Sequence, residues 1–195
     1  MAKKLILLIG APGSGKTTDG SAIAKNHPEI TAYSLGKLLE DEAKKDTKLG
    51  KINRDYISKG ELIPTAIVID TIMEAVKNAP TDIVLLDGFP RKEKQMKIFA
   101  DILSANHTIE LDSVIEIRVS EAVAKERVLG RSDRADDQED IFNNRMKIYQ
   151  ETISNIEEFY DHDNILKIID GEQEVSTVIN DIDEFLKSHI ALTTA

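Results

Sequence analysis

The run Gly10-Ala11-Pro12-Gly13-Ser14-Gly15-Lys16-Thr17 satisfies G-x-x-x-x-G-K-[ST] at every fixed position, and it constrains the fold more than anything else in the chain. Such a loop works only between a buried strand and a helix. Residues 5–9 are an apolar run suited to that strand, and residues 18–25 have a helix-compatible composition. Glycines are needed because backbone N–H groups must converge on phosphate oxygens with no Cβ in the way, while the helix offers its positive end to the same anion. Lys16 adds a mobile cation. Thr17 supplies a hydroxyl for Mg²⁺ bridging the outer phosphates of a nucleotide. The plainer alternative is a Gly-Pro turn that closes a strand.

A chain of 195 residues can bury a real core and is expected to form one domain with small insertions. Its formal charge of −10 argues against nucleic acid or an anionic membrane as the main partner, since both select basic faces. Positive charge for a polyanion must therefore be concentrated locally. The absence of cysteine excludes disulfides and Cys-ligated zinc. No signal peptide precedes Lys3 and no apolar run approaches a membrane span, so the chain is expected to be cytoplasmic.

In order along the chain, the first strand and helix end near His27-Pro28, with His27 read as a surface loop residue. Residues 31–34 suit a second strand. Ser34 is a candidate N-cap for a helix over 36–45, and Thr47 for one over 48–58, ended by Gly60. Pro64 suits the first turn of a helix running to about residue 78, with Ile67, Ile72, Met73 and Val76 in the core. Residues 82–87 form an apolar run that ends in Asp87, and an aspartate at the end of a buried strand is how P-loop enzymes hold Mg²⁺ beside the loop's own threonine. Taken alone, the same residue is also a turn cap. Residues 113–119 and 165–169 read as a fourth and a fifth strand, and 172–188 as a closing helix. Arg118 is expected to face solvent at a sheet edge, and His107, His162 and His189 lack ligand spacing. The fold class is α/β, a P-loop three-layer core on a parallel sheet of about five strands, with a run of short helices inserted between two α/β units.

The pairing of the Gly10-to-Thr17 loop with Asp87-Gly88-Phe89-Pro90-Arg91, Gly60-Glu61-Leu62-Ile63-Pro64, and Arg127-Val128-Leu129-Gly130-Arg131 followed by Arg134-Ala135-Asp136-Asp137 resembles the adenylate kinases, over nearly the whole chain. That resemblance implies reversible phosphoryl transfer from Mg·ATP to AMP, giving two ADP; separately, a monomer is expected because no exposed apolar heptad stands out. The resemblance also implies a core of residues 1–33, 64–129 and 138–195, a mobile monophosphate-binding insert of residues 34–63, and a short lid of residues 130–137 without zinc. ATP contacts are expected from Gly13, Ser14, Gly15, Lys16, Thr17, Thr18, Arg127, Arg131 and Gly171, the last where loop backbone approaches the base. AMP contacts are expected from Glu61, Leu62, Ile63, Gly88, Phe89, Pro90, Arg91, Gln95, Arg134 and Arg145. Lys16, Arg91, Arg131, Arg134, Arg145 and Asp87 are the expected catalytic set, with Mg²⁺ near Thr17 and Asp87.

The arginines support this independently of the family. The chain has seven, and four of them fall between positions 127 and 145 of an otherwise acidic protein. Their planar forks suit phosphate, and a metaphosphate-like transition state needs charge stabilisation and alignment rather than a general base. Arg127 and Arg131 share one helix face, and Asp136 or Asp137 is expected to cap the next helix. The acceptor side departs from the family. Where the usual pattern is Ser-Thr-Gly-Asp-x-x-Arg, this chain reads Ser34-Leu35-Gly36-Lys37-Leu38-Leu39-Glu40, which puts Leu35 and Glu40 at family AMP positions. Three explanations follow: Lys37 takes over the cationic role with Glu40 paired to Lys44, Arg54 swings in, or the AMP site is weakened. A pyrimidine (UMP/CMP) monophosphate kinase and a catalytically impaired nucleotide-binding regulator are the competing readings.

Overall fold

Apolar runs that each lead into a helix pair most readily as a parallel sheet, because a parallel crossover needs a dozen or more residues and a helix supplies them. The computed structural model describes residues 2–130 and 138–190. In chain order the elements are β1 (Lys3–Ile9), α1 (Lys16–Asn26), β2 (Ile30–Ser34), α2 (Leu35–Ala43), α3 (Lys48–Ser58), α4 (Thr65–Asn78), β3 (Ile83–Asp87), α5 (Glu93–Ala105), β4 (Ile109–Arg118), α6 (Glu121–Gly130), α7 (Glu139–His162), β5 (Leu166–Asp170) and α8 (Val175–His189). The strands lie in the order β2-β3-β1-β4-β5, every neighbour parallel.

Alternation along β1 divides the core. Leu5, Leu7 and Ile9 join Ile72, Val76, Phe99, Ile156 and Tyr160 under α4, α5 and α7. Ile6 and Leu8 pack with Ile23, Val178, Ile182 and Leu186 under α1 and α8. The sheet is thus sandwiched between two helical layers, which is why β1 is apolar at nearly every position. A smaller cluster of Ala11, Val119, Ala124, Val128, Phe142 and Met146 seats the P-loop against α6 and α7. Register places the site. Leu8 of β1 and Ser34 of β2 both pair with Asp87 of β3, so the loop, α2 and the strand-end aspartate leave the sheet at the same level, at the carboxyl edge where ligands bind in such sheets.

Several local expectations are corrected. His27 is buried, not a surface loop residue: it caps the end of α1, its Nε2 meets Asp183 of α8, and its Nδ1 lies 3.7 Å from Glu29. Arg118 is not at an edge, because β4 lies between β1 and β5. Its guanidinium engages both oxygens of fully buried Glu116 and also Glu157. Ser34 occupies the N-cap position of α2 without a side-chain cap bond, whereas Thr47 caps α3 by accepting from the Gly50 N–H at 2.9 Å. Pro64 stands at the N-cap of α4, one residue before its first turn. The N-cap of α7 is Gln138, and Asp136 and Asp137 lie outside the described residues.

Candidate active site

The loop after β1 wraps around the ammonium of Lys16. Its Nζ donates to the carbonyls of Gly10 (3.0 Å) and Ala11 (2.7 Å) and to Ser14 Oγ (2.9 Å). Gly13 sits at φ 85°, and a Cβ there would lie 2.6 Å from the carbonyl oxygen of Ala124, so only glycine lets the loop lie against α6. The N-cap of α1 is Gly15, which has no side-chain cap, so the helix presents its positive end in the manner that binds phosphate.

Opposite the loop, Asp87 is buried and is followed by the Gly88-to-Arg91 turn, in which the Phe89-Pro90 peptide is cis. Phe89 anchors that turn, fully buried edge-on against Phe99 with ring centroids 4.9 Å apart. Arg91 Nε donates to the Gly88 carbonyl at 2.8 Å, and its backbone N–H donates to Gln95 Oε1 at 2.8 Å. Gln95 therefore has its amide oxygen engaged. A Cβ built on Gly36 would lie 4.0 Å from Arg91 Nη2, which brings the start of α2 to the same guanidinium.

One pocket joins these parts. Gly13, Gly15, Lys16, Thr17, Thr18, Leu35, Glu40, Glu61, Leu62, Ile63, Asp87, Gly88, Phe89, Pro90, Arg91, Gln95 and Arg145 all line it. Ser14 is buried beneath the loop, its hydroxyl on Lys16 and its carbonyl accepting from Arg127 Nη1 at 3.4 Å. Arg127 also donates to the Gly171 carbonyl at 2.9 Å, so these two expected ATP-contact residues meet on the far side of the loop. Arg131 and Arg134 lie outside the described residues.

The two proposed substitutes for the missing α2 arginine are placed elsewhere. Arg54 donates to the carbonyls of Ala43 and Lys45, where it caps the end of α2. Lys37 is exposed and outside the pocket lining, and its charge acts on Asp41. The expected Glu40 to Lys44 pair is not formed: Lys44 Nζ lies 2.6 Å from Asp41 Oδ1.

Sequence reasoning missed three features. Tyr149 and Thr152 of α7 line the pocket; Tyr149 donates to buried Glu116 at 3.1 Å, and the Thr152 hydroxyl, which donates to the Ile148 carbonyl of its own helix at 2.8 Å, lies 3.3 Å from the Arg91 carbonyl. The signal was helical spacing, since 145, 148, 149 and 152 recur on one face. The second feature is the Glu116–Arg118–Glu157 cluster, where burial and then the hydrogen bond with Glu116 push the Glu157 carboxyl up, and burial and then the charge of Glu116 push the Tyr149 phenol up.

The third is Asp19, buried in the first turn of α1 against Gly15. Burial pushes its carboxyl from 3.8 to about 6, opposed by the charges of Lys16 and Arg127. The sign follows from proton linkage: between those two values the folded protein holds more protons than the unfolded chain, so this group's contribution to stability falls as pH rises and is lowest above pH 6. In the nucleotide-free protein, Asp19→Asn is expected to raise the melting temperature at pH 7.5 by about 3–8 °C, from about 1–2 kcal/mol of relieved burial, and to flatten the pH dependence between the two values. Calorimetric melts from pH 4 to 8 check this, and an unchanged slope would remove Asp19 as its source.

A phosphate loop facing a strand-end carboxylate and two arginines, across an apolar pocket at the carboxyl edge of a parallel sheet, defines a P-loop kinase of nucleoside monophosphates. The comparisons with known proteins agree. The family model described as adenylate kinase matches residues 8–165. The adenylate kinase of Sulfurovum sp. (strain NBC37-1) is 48% identical over 196 residues, covering 96% of this chain and 100% of the relative. That of Campylobacter jejuni is 50% identical over 186 residues, covering 95% and 97%, and that of Campylobacter lari 49% over 189 residues, covering 95% and 100%. The chain belongs to the adenylate kinase family and is a nucleoside monophosphate phosphotransferase.

Proposed function

We propose that this pocket transfers the γ-phosphoryl group of ATP to AMP, reversibly and with two ADP as products, through an AMP site weakened by Glu40. The observation that carries the reading is that Lys16, Thr17, Asp87, Arg91 and Arg145 line one pocket while Glu40 projects into it from the acceptor side. An AMP phosphate oxygen attacks the γ-phosphorus in line as the bond to the β–γ bridging oxygen breaks. Lys16 and the first turn of α1 neutralise charge on the donor phosphates, and Arg91 and Arg145 align acceptor and transferred group. The Thr17 hydroxyl and the buried Asp87 carboxylate are hard oxygen donors, and they suit Mg²⁺, which keeps several waters and takes one or two protein oxygens. Mg²⁺ bound there supplies charge neutralisation on the phosphates. Arg127 and the Gly171 carbonyl frame the donor base, and the Gln95 NH₂ reads an acceptor edge of the AMP base. Residues 34–63 act as the monophosphate-binding insert and 130–137 as a short lid, whose Arg131 and Arg134 complete the charge around the phosphoryl group. We assign the enzyme to the cytoplasm as a monomer, with no exposed apolar heptad in its sequence. Among the described residues, no helix is long and apolar enough to cross a membrane.

A coupled assay at saturating Mg·ATP, with AMP, CMP, UMP and GMP each varied over several decades, tests the proposal. AMP is expected to give the highest kcat/KM, with a raised KM. Preference for UMP or CMP would replace the reading with a pyrimidine kinase, and ATP binding without turnover would replace it with a regulator.

A further inference from the structure

The last turn of α3 leaves carbonyls that no further helical turn can satisfy. Gly60, at φ 65°, reverses the chain there: its N–H donates to Ile57 and that of Glu61 to Tyr56. The carbonyls of Lys59 and Gly60 are met from another part of the molecule. Asn144 of α7, more than eighty residues away in sequence, donates its side-chain NH₂ to Gly60 at 3.1 Å and to Lys59 at 3.3 Å. Contact beneath this fork is tight, since a Cβ at Gly60 would lie 3.0 Å from Ile141 Cγ2. The junction sits between residues that line the pocket from both sides: Ile57 and Glu61 flank the α3 end, and Arg145 follows Asn144 directly. Asparagine is a poor residue for a helix interior, because its side chain competes for backbone groups, and here that side chain spans to another element instead.

We propose that Asn144 is a positioning residue that fastens the end of the 34–63 segment to α7, so that acceptor binding and the placement of Arg145 become one event. The inference rests on the acceptor-site reading above. The fork holds the carbonyls of Lys59 and Gly60, just past α3, against α7, next to Arg145 in the pocket. Without the fork, the segment closes against a helix that does not report it.

The test compares wild type with Asn144→Asp, Asn144→Ala, Asn144→Gln and Gly60→Ala. Aspartate keeps the shape of asparagine but faces the two carbonyls with acceptors only. A fork of this kind is expected to be worth roughly 3–10-fold in KM for AMP. KM for AMP should rise by that factor in the alanine variant, and by more in the aspartate variant. KM for ATP should stay within about 1.5-fold, since the donor loop lies elsewhere. Gln retains the donor on a longer arm and should recover most of the affinity. Gly60→Ala, pushed off Ile141 and strained at positive φ, should share the AMP-selective defect. Amide exchange at Gly60 and Glu61 should quicken in Asn144→Asp with the melting temperature little changed. AMP turnover with an unmoved KM in Asn144→Asp, or equal rises in both KM values, would overturn the tie alone. Absence of AMP turnover in wild type would overturn the acceptor assignment and the inference with it.

Discussion

Replacing Lys16 by methionine is expected to lower kcat by roughly a thousandfold or more, with a smaller loss of ATP affinity. The expectation follows from where the ammonium lies. It is held at the centre of the loop by the carbonyls of Gly10 and Ala11 and by Ser14 Oγ, at 2.7–3.0 Å, within the pocket that also holds Asp87 and Arg91. A cation so placed stabilises negative charge that grows on the phosphoryl oxygens and bridging oxygen during transfer, and it does so most in the transition state. Methionine keeps an unbranched apolar stem, one atom shorter, and removes the charge and the donors. Single-turnover rates and titration calorimetry with ATP separate the two effects. A variant that binds ATP tens of times more weakly but transfers at the wild-type rate would confine Lys16 to binding and move the catalytic charge to the arginines.

The second large effect is expected in the opposite direction. Glu40→Arg should lower KM for AMP by roughly tenfold to a hundredfold, with kcat and KM for ATP little changed. A like charge about 5 Å from a phosphate costs on the order of 3 kcal/mol at an effective dielectric near 20, and salt and exposure reduce it. Gly36 and Glu40 are one helical turn apart on α2, and the Gly36 position faces the Arg91 guanidinium, so an arginine at 40 joins Arg91 at the same phosphate. Arg54 and Lys37 do not pre-empt this gain, since the first caps α2 and the second is exposed outside the pocket lining. Steady-state kinetics with AMP varied measure the change. An unaltered KM would mean that the acceptor phosphate binds away from α2.

What could be read from the sequence was what acts locally. The P-loop, the strand ending at Asp87 and the Gly88-to-Arg91 turn are short runs whose chemistry depends on neighbours a few residues away, so these motifs, and for Arg91 the resemblance they carry, pointed to Lys16, Thr17, Asp87 and Arg91, all of which line one pocket. Thr47 was legible as a cap for the same reason, because its bond reaches only to Gly50. Long-range partners were not. The ring of His27 meets a carboxylate 156 residues away, Arg118 is paired with a glutamate of α7, and Asn144 serves the carbonyls of Lys59 and Gly60 just past α3. In each case the residue type fits solvent as well as a buried network, and only the packing of one element on another decides. Asp19 was missed for a related reason: an acidic residue in a first helical turn is unremarkable by composition, and its raised carboxyl comes from burial under the loop.

The strand order has a consequence for how the protein is made. β1, which launches the phosphate loop, precedes both of its partner strands in the chain and is the central strand of the sheet. Both of its neighbours come much later: Lys4 pairs with Ile83, and Ile9 pairs with Glu116. During translation β1 therefore emerges with two unpaired edges and an apolar face on each side; one edge waits for β3 (Ile83–Asp87), and the other waits for β4 (Ile109–Arg118), past the middle of the chain. Closing such long loops is slow relative to forming helices. The phosphate loop is thus clamped late, and an apolar strand keeps an open edge until β4 has been made.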